Sequence, residues 1–216
     1  MKLIERPVET RAALFDIDGT LYTNHVYGQF QIDILIEELA CTRGESVERV
    51  RAAIERTRAA HASTNNGAAT SLGNAMASLG VDMATSVAWR QRLIDPTRFL
   101  QADPKLRIAL LALCDRGLVL AAVTNNPRSV GEATLRALGV QDLFTVVVGL
   151  DDTMKSKPAR EPYLLAARLL CMPVTTCLSV GDRYDVDLAF PLELGMGAVL
   201  VDGVEDVYRL PGTLFG

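Results

Sequence analysis

The chain has 216 residues, 49% hydrophobic and 22% charged, enough apolar material for one sizeable core with room for a small insertion. Its 22 Lys and Arg stand against 26 Asp and Glu, a formal charge of −4 that argues against a nucleic-acid polymer as partner. No apolar stretch approaches the roughly 20 residues of a membrane span, and residues 1–11 lack the apolar run of a secretory signal, so a cytoplasmic protein without a membrane partner is expected.

In chain order, the first predicted strand is Ala12–Phe15, which runs into the stretch FDIDGTLY at residues 15–22. Residues i and i+2 of an extended chain share a face, so Asp16 and Asp18 are expected close together and mutually repulsive unless a cation or a shared proton relieves them. From Leu21 to Asp95 the pattern offers only helices, over Val26–Ala40, Ser46–Ala60, Ser71–Leu79 and Met83–Ile94. That interval is too long for a simple crossover. It predicts an inserted helical domain over 21–95, with 1–20 and 96–216 forming an α/β core.

Four further runs, Leu118–Val123, Thr145–Val148, Thr176–Val180 and Ala198–Val201, are continuously apolar, as parallel strands covered on both faces are. Helices lie between them. Asp103-Pro104 and Asn126-Pro127 each read as an N-cap followed by proline in the first helical position, and Gly117 and Gly139 follow the two helix ends. The rhythm predicts an α/β fold, a three-layer Rossmann-like domain with a parallel sheet. Cys41, Cys114, Cys171 and Cys177 show no metal-binding spacing and read as buried free thiols; His25 and His61 likewise lack a second histidine at a ligand interval.

Open α/β sheets bind ligands at the carboxyl ends of their strands, and there the polar residues gather. Asp16 and Asp18 end the first strand, Thr124-Asn125-Asn126 the second, and Gly181-Asp182-Arg183-Tyr184-Asp185-Val186-Asp187 the fourth; Lys155-Ser156-Lys157-Pro158 precedes a helix. Singly these are a turn, a helix cap, a polar loop and a solvated lysine. Jointly and in this order they suit phosphoryl transfer, in which carboxylates share a Mg²⁺, a hydroxyl and amides hold phosphate oxygens, and a lysine neutralises charge.

The order of motifs resembles the haloacid dehalogenase (HAD) superfamily of hydrolases. The resemblance implies Asp16 as nucleophile and Asp18 as general acid and base, the latter also offering its backbone carbonyl to Mg²⁺. It implies Thr124 and Asn125 as phosphoryl-binding residues, Lys157 as the motif lysine, Asp182 as a metal ligand, and Asp187 as a further ligand or a partner of the ligands. Arg160 departs from the family's usual proline, Tyr163 keeps its aromatic position, and Lys155 and Asp185 are rivals for the roles of Lys157 and Asp187. Numbering the five strands in chain order, the family's sheet runs 3-2-1-4-5, and the insert resembles a type 1 helical cap.

Dehalogenases lack the second aspartate, so Asp18 points to a phosphate ester, whose alkoxide needs a proton on leaving. Asn65-Asn66-Gly67 to Gly80-Val81-Asp82, with Leu100–Arg107, resembles the pyrimidine 5'-nucleotidase-like branch. The implied function is a Mg²⁺-dependent phosphatase acting on a small phosphomonoester, with nucleoside 5'-monophosphates as a candidate class and an aspartyl-phosphate intermediate. A phosphomutase of the β-phosphoglucomutase type is the alternative. A phospho-acceptor signalling domain is remoter, because such domains are shorter and lack the helical insert. The expected partner is a small phosphate ester, and the expected state a monomer or homodimer.

Overall fold

A computed structural model describes residues 1–65, 67 and 70–216, so the Asn66 of the nucleotidase-like stretch lies outside the described residues. Among the described residues the sheet has six strands: β1 (Lys2–Glu5), β2 (Ala12–Phe15), β3 (Val119–Val123), β4 (Phe144–Val148), β5 (Cys177–Gly181) and β6 (Gly197–Leu200). Their spatial order is β1-β6-β5-β2-β3-β4, with β2 parallel to both β3 and β5. The five expected strands thus keep the order 3-2-1-4-5, read from the β4 edge. The sheet is not purely parallel, however, because β1 adds an antiparallel edge beside β6. Lys2 and Glu5 at its ends and its mostly exposed side chains hid it from a search for apolar runs, and such charges also discourage further pairing at an edge.

Between β2 and β3 the described residues form helices α1 (His25–Arg43), α2 (Val47–Thr64), α3 (Leu72–Ser78) and α4 (Met83–Leu93). Each starts on a short polar residue whose side chain accepts a first-turn N–H: Asn24, Ser46, Ser71 and Asp82. Their apolar faces close on one another in a cluster that includes Leu35, Leu39, Val50, Ile54, Met76 and Trp89. The ends of the insert meet in an aromatic group: Tyr27 stacks on Phe99 at 5.1 Å between centroids and lies 5.5 Å from Tyr22.

The rest of the chain alternates strand and helix, with α5 (Pro104–Cys114), α6 (Arg128–Ala137), α7 (Leu150–Thr153), α8 (Glu161–Leu169), α9 (Ala189–Glu193) and α10 (Val204–Phe215). Strand alternation splits the core into two layers. Ala13 and Phe15 join Leu110 of α5 and Leu210 of α10 on one face of the sheet. Ala12 and Leu14 join Tyr163 and Ala166 of α8 on the other. Burying Leu14 and Phe15 completely stabilises the central strand by about 1.5–3 kcal/mol each.

Asp103 caps α5 as expected, with Pro104 first in the helix. Before α6 the expectation is corrected: Pro127 occupies the cap position, and the Asn126 side chain turns into the cleft. The cysteines are corrected too. All four are free, but of these only Cys177 is buried, while Cys41 and Cys171 are exposed.

Candidate active site

Three adjacent strand ends and one loop assemble the site. Asp16 leaves β2 with its N–H on the Val180 carbonyl of β5, at 2.9 Å, and Thr124 leaves β3 with its N–H on Val148 of β4, at 3.0 Å. Asp182 follows β5. Lys157 comes from the loop between α7 and α8, held there by Asn125, whose amide oxygen accepts from Lys157 N at 2.7 Å and whose amide nitrogen donates to Lys157 O at 3.1 Å. Glycine permits the close packing of these loops. Gly19 has φ +87°, and a Cβ there would stand 2.7 Å from Asp182 Oδ2; one on Gly181 would stand 2.4 Å from the Asp187 Cβ.

Asp16 is buried in a polar cage. Lys157 Nζ donates to Asp16 Oδ1 at 2.6 Å and to the Val123 carbonyl at 2.8 Å, and lies 2.7 Å from Asp187 Oδ1. Thr20 Oγ1 donates to Asp16 Oδ2 at 3.2 Å. Burial pushes the Asp16 pKa up to about 7, Lys157 opposing the rise and the Asp187 charge adding to it. Burial also works against the charge on Lys157, but Asp16 and Asp187 outweigh it and hold the ammonium above its ordinary range. Of the rivals, Lys155 and Asp185 are exposed, whereas Lys157 and Asp187 are each 1% exposed and adjacent to Asp16.

Asp18 goes elsewhere. Its Oδ1 accepts from the Tyr22 hydroxyl and, at 2.9 Å, from Gln31 Nε2; its Oδ2 accepts from Asn126 Nδ2 at 3.0 Å and Thr124 Oγ1 at 3.4 Å. Gln31, on α1, also accepts from Asn126 Nδ2 at 2.8 Å. The two carboxylates that the spacing placed face to face are thus separated, because β2 ends at Phe15 and the turn at Gly19 sends Asp18 toward the insert. Asp18 opens onto a cavity of about 730 Å³ between insert and core, lined also by Tyr22, Gln31, Arg90, Asn126 and Asp182. His25 lines it as well, while His61 sits on α2.

Asp16, Asp182 and Asp187 bring carboxylate oxygens within 4.8 Å of one another. Among the described residues Asp182 Oδ1 is buried and accepts no hydrogen bond, with Arg183 Nε 3.6 Å away, and a hard cation would satisfy it. Burial raises the Asp182 pKa, the Arg183 guanidinium opposing it and Asp187 adding to it. Asp187 is already engaged, with Lys157 at Oδ1 and the Arg183 N–H on Oδ2 at 3.1 Å. The three clustered carboxylates are a donor set that fits Mg²⁺.

The family model for haloacid dehalogenase-like hydrolases matches residues 10–195, from β2 past the Asp182–Asp187 loop. The chain belongs to this family. Phosphoglycolate phosphatase from Salmonella paratyphi A is 40% identical over 87 residues, 40% of this chain and 34% of that protein, so the alignment spans only a third of the relative's length. Among solved structures, a HAD phosphatase from Thermococcus onnurineus superposes with a TM-score of 0.64 at 23% identity, covering 96% of this chain and 99% of that one. A β-phosphoglucomutase from Clostridium difficile gives 0.53 at 14% identity, covering 94% and 99%. At these identities the structures are alike in fold.

Within the HAD-like frame, sequence reasoning did not assign Gln31, Arg90, Arg183 or the inward turn of Asn126 to the site. Asn126-Pro127 is indistinguishable from a helix cap by residue type, and Gln31 is one polar residue between Phe30 and Ile32 on a helix. Arg183 carried a signal, since it lies inside the GDxxxxD stretch. Asn125, expected at the phosphoryl group, instead spends both side-chain polar atoms on the Lys157 backbone.

Proposed function

We propose that this HAD-like hydrolase is a Mg²⁺-dependent phosphatase of small phosphomonoesters. The observation that carries the reading is the separation of its two carboxylates: Asp16 buried against Lys157 at the end of the central strand, Asp18 held by neutral donors at the cavity wall. A nucleophile and a proton carrier need those different surroundings.

An Asp16 oxygen attacks phosphorus, a P–O bond forms to the carboxylate, the ester P–O bond breaks, and Asp18 gives its proton to the departing oxygen. Water then attacks the aspartyl-phosphate, Asp18 takes the proton, and phosphate leaves with Asp16 restored. Thr124 holds the transferring group, and Lys157 balances the charge of Asp16 throughout. Asp16, Asp182, the Asp18 carbonyl and, in a supporting place, Asp187 would hold Mg²⁺, which supplies charge neutralisation at the phosphoryl oxygens. The helical insert over 21–95 acts as the cap that excludes bulk water from the site.

A screen of phosphomonoesters with Mg²⁺ and with EDTA tests this. Turnover is expected with the metal and a loss of at least about 10²-fold without it. Including nucleoside 5'-monophosphates and hexose 1-phosphates sorts the substrate class. Isomerisation of a hexose phosphate without phosphate release would make the protein a mutase. No turnover of any ester would overturn the phosphatase reading.

Gln31 ties Asp18 to the cap, so Gln31→Ala removes one of four hydrogen bonds on the proton carrier. Turnover of alkyl phosphates should fall about 3- to 10-fold, the worth of one neutral hydrogen bond. The aryl ester p-nitrophenyl phosphate, whose leaving group needs little protonation, should suffer less in its first step. Steady-state and single-turnover rates on the two esters measure the difference.

A further inference from the structure

The cavity has polar lining beyond Asp18 and its hydrogen-bond partners. Arg90 of α4 is 5% exposed and lines the cavity, as do Ser71 and Gly73. Its Nη1 donates to the carbonyl and hydroxyl oxygens of Ser86. Among the described residues no carboxylate forms an ion pair with its guanidinium; Asp18 is the carboxylate whose charge reaches it. A buried guanidinium without a counter-ion is costly, and burial lowers the Arg90 pKa to about 10, with Asp18 opposing the fall; it remains a cation at neutral pH.

Among the described residues Arg90 Nη2 has no hydrogen-bond partner, and it converges with two hydroxyls around a glycine. Arg90 Nη2, Ser71 Oγ and Ser156 Oγ lie 3.6, 3.8 and 3.8 Å from the point where a Cβ on Gly73 would stand. Ser71 and Ser156 bond each other at 2.9 Å, bridging the insert to the loop that carries Lys157. A planar, permanently charged fork beside a hydroxyl matches a carboxylate or phosphate.

We propose that Arg90, with Ser71 beside Gly73, forms a subsite for a second anionic group of the substrate, so that the preferred esters are small phosphomonoesters with a carboxylate or phosphate on the tail. The inference rests on the phosphomonoester reading and narrows it. Nucleoside 5'-monophosphates, which have no second anionic group, are poor substrates on this account.

The test compares kcat/KM for matched esters: 3-phosphoglycerate against glycerol 3-phosphate for a carboxylate tail, and 1,3-propanediol bisphosphate against its monophosphate for a phosphate tail. Wild-type protein should favour at least one charged ester by about 10- to 100-fold, and the pair that shows it identifies the anion. Arg90→Gln should collapse that ratio toward one, chiefly through KM, and Arg90→Lys should restore part of it. Gly73→Val, which fills the open space and leaves Arg90 in place, should collapse the ratio as well; it remains informative if Arg90→Gln fails to fold. A wild-type ratio near one for both pairs overturns the subsite while leaving the phosphatase intact. Equal loss on charged and neutral esters in both variants makes Arg90 a brace for α4 and also overturns it. Absence of turnover with every ester overturns the phosphomonoester reading, and the subsite falls with it.

Discussion

Asp16→Asn is expected to lower turnover of every phosphomonoester by about 10³-fold or more, the scale seen when a covalent nucleophile is removed. The amide matches the carboxylate in size, so β2 and its hydrogen bond to Val180 remain. Lys157 keeps Asp187 and the Val123 carbonyl as partners, so the cage stays closed. On the proposed mechanism, what disappears is the oxygen that attacks phosphorus. Asp18→Asn gives the complementary result. With p-nitrophenyl phosphate, a single burst of nitrophenolate equal to the enzyme is expected and then a stall, because the first leaving group needs no proton but the attacking water needs a base. Quenched-flow release of nitrophenolate distinguishes the two variants. A burst in Asp16→Asn, or steady turnover in Asp18→Asn at the wild-type rate, would falsify the division of roles.

Lys157→Met should do the greatest damage to the fold. The ammonium is enclosed with Asp16 and Asp187, both buried, and removing it leaves two like charges without a cation between them. Breaking a buried pair by deleting one partner costs about 3–5 kcal/mol, of the same order as much of a domain's net stability. Asp16, already raised to about 7, would rise further and hold its proton, so activity should be lost in any molecules that fold. Urea denaturation in EDTA, followed by circular dichroism, measures the stability change. Lys155→Met is the control: that side chain is exposed, and its loss should stay within about 0.5 kcal/mol of wild type. If the two variants proved equally stable and equally active, Lys157 would not be the lysine of the site.

The strands of the core were legible because burial on both faces forces continuous apolar runs, the helices of the insert by their pattern, and the start of α5 because Asp103-Pro104 marks it by its own chemistry. The edge strand β1 was not, since a strand exposed on an edge need not be apolar. Gly117 and Gly139 follow their helices with left-handed backbone, as their residue type suggests. Asn126 went the other way: a cap residue and a cleft residue look alike until the chain is folded.

What the sequence determined by itself was the class of fold and which residues stand in the candidate site. Acidic residues, a threonine and a lysine after apolar runs can be read in one dimension, because a parallel sheet aligns the carboxyl ends of its strands. What only the tertiary structure decided was which charge meets which. Asp16 and Asp18 are two residues apart, yet one faces Lys157 and the other faces Gln31, Asn126 and Tyr22. Apart from Thr20 and Tyr22, each four positions away, these partners lie 13 to 141 positions along the chain. The same holds for Arg90, an arginine like any other until the insert folds back over the sheet and buries it beside Ser71 and Gly73, where among the described residues no carboxylate forms an ion pair with it. Electrostatic partnership depends on distance through space and on burial, and a linear sequence specifies neither until the core has closed.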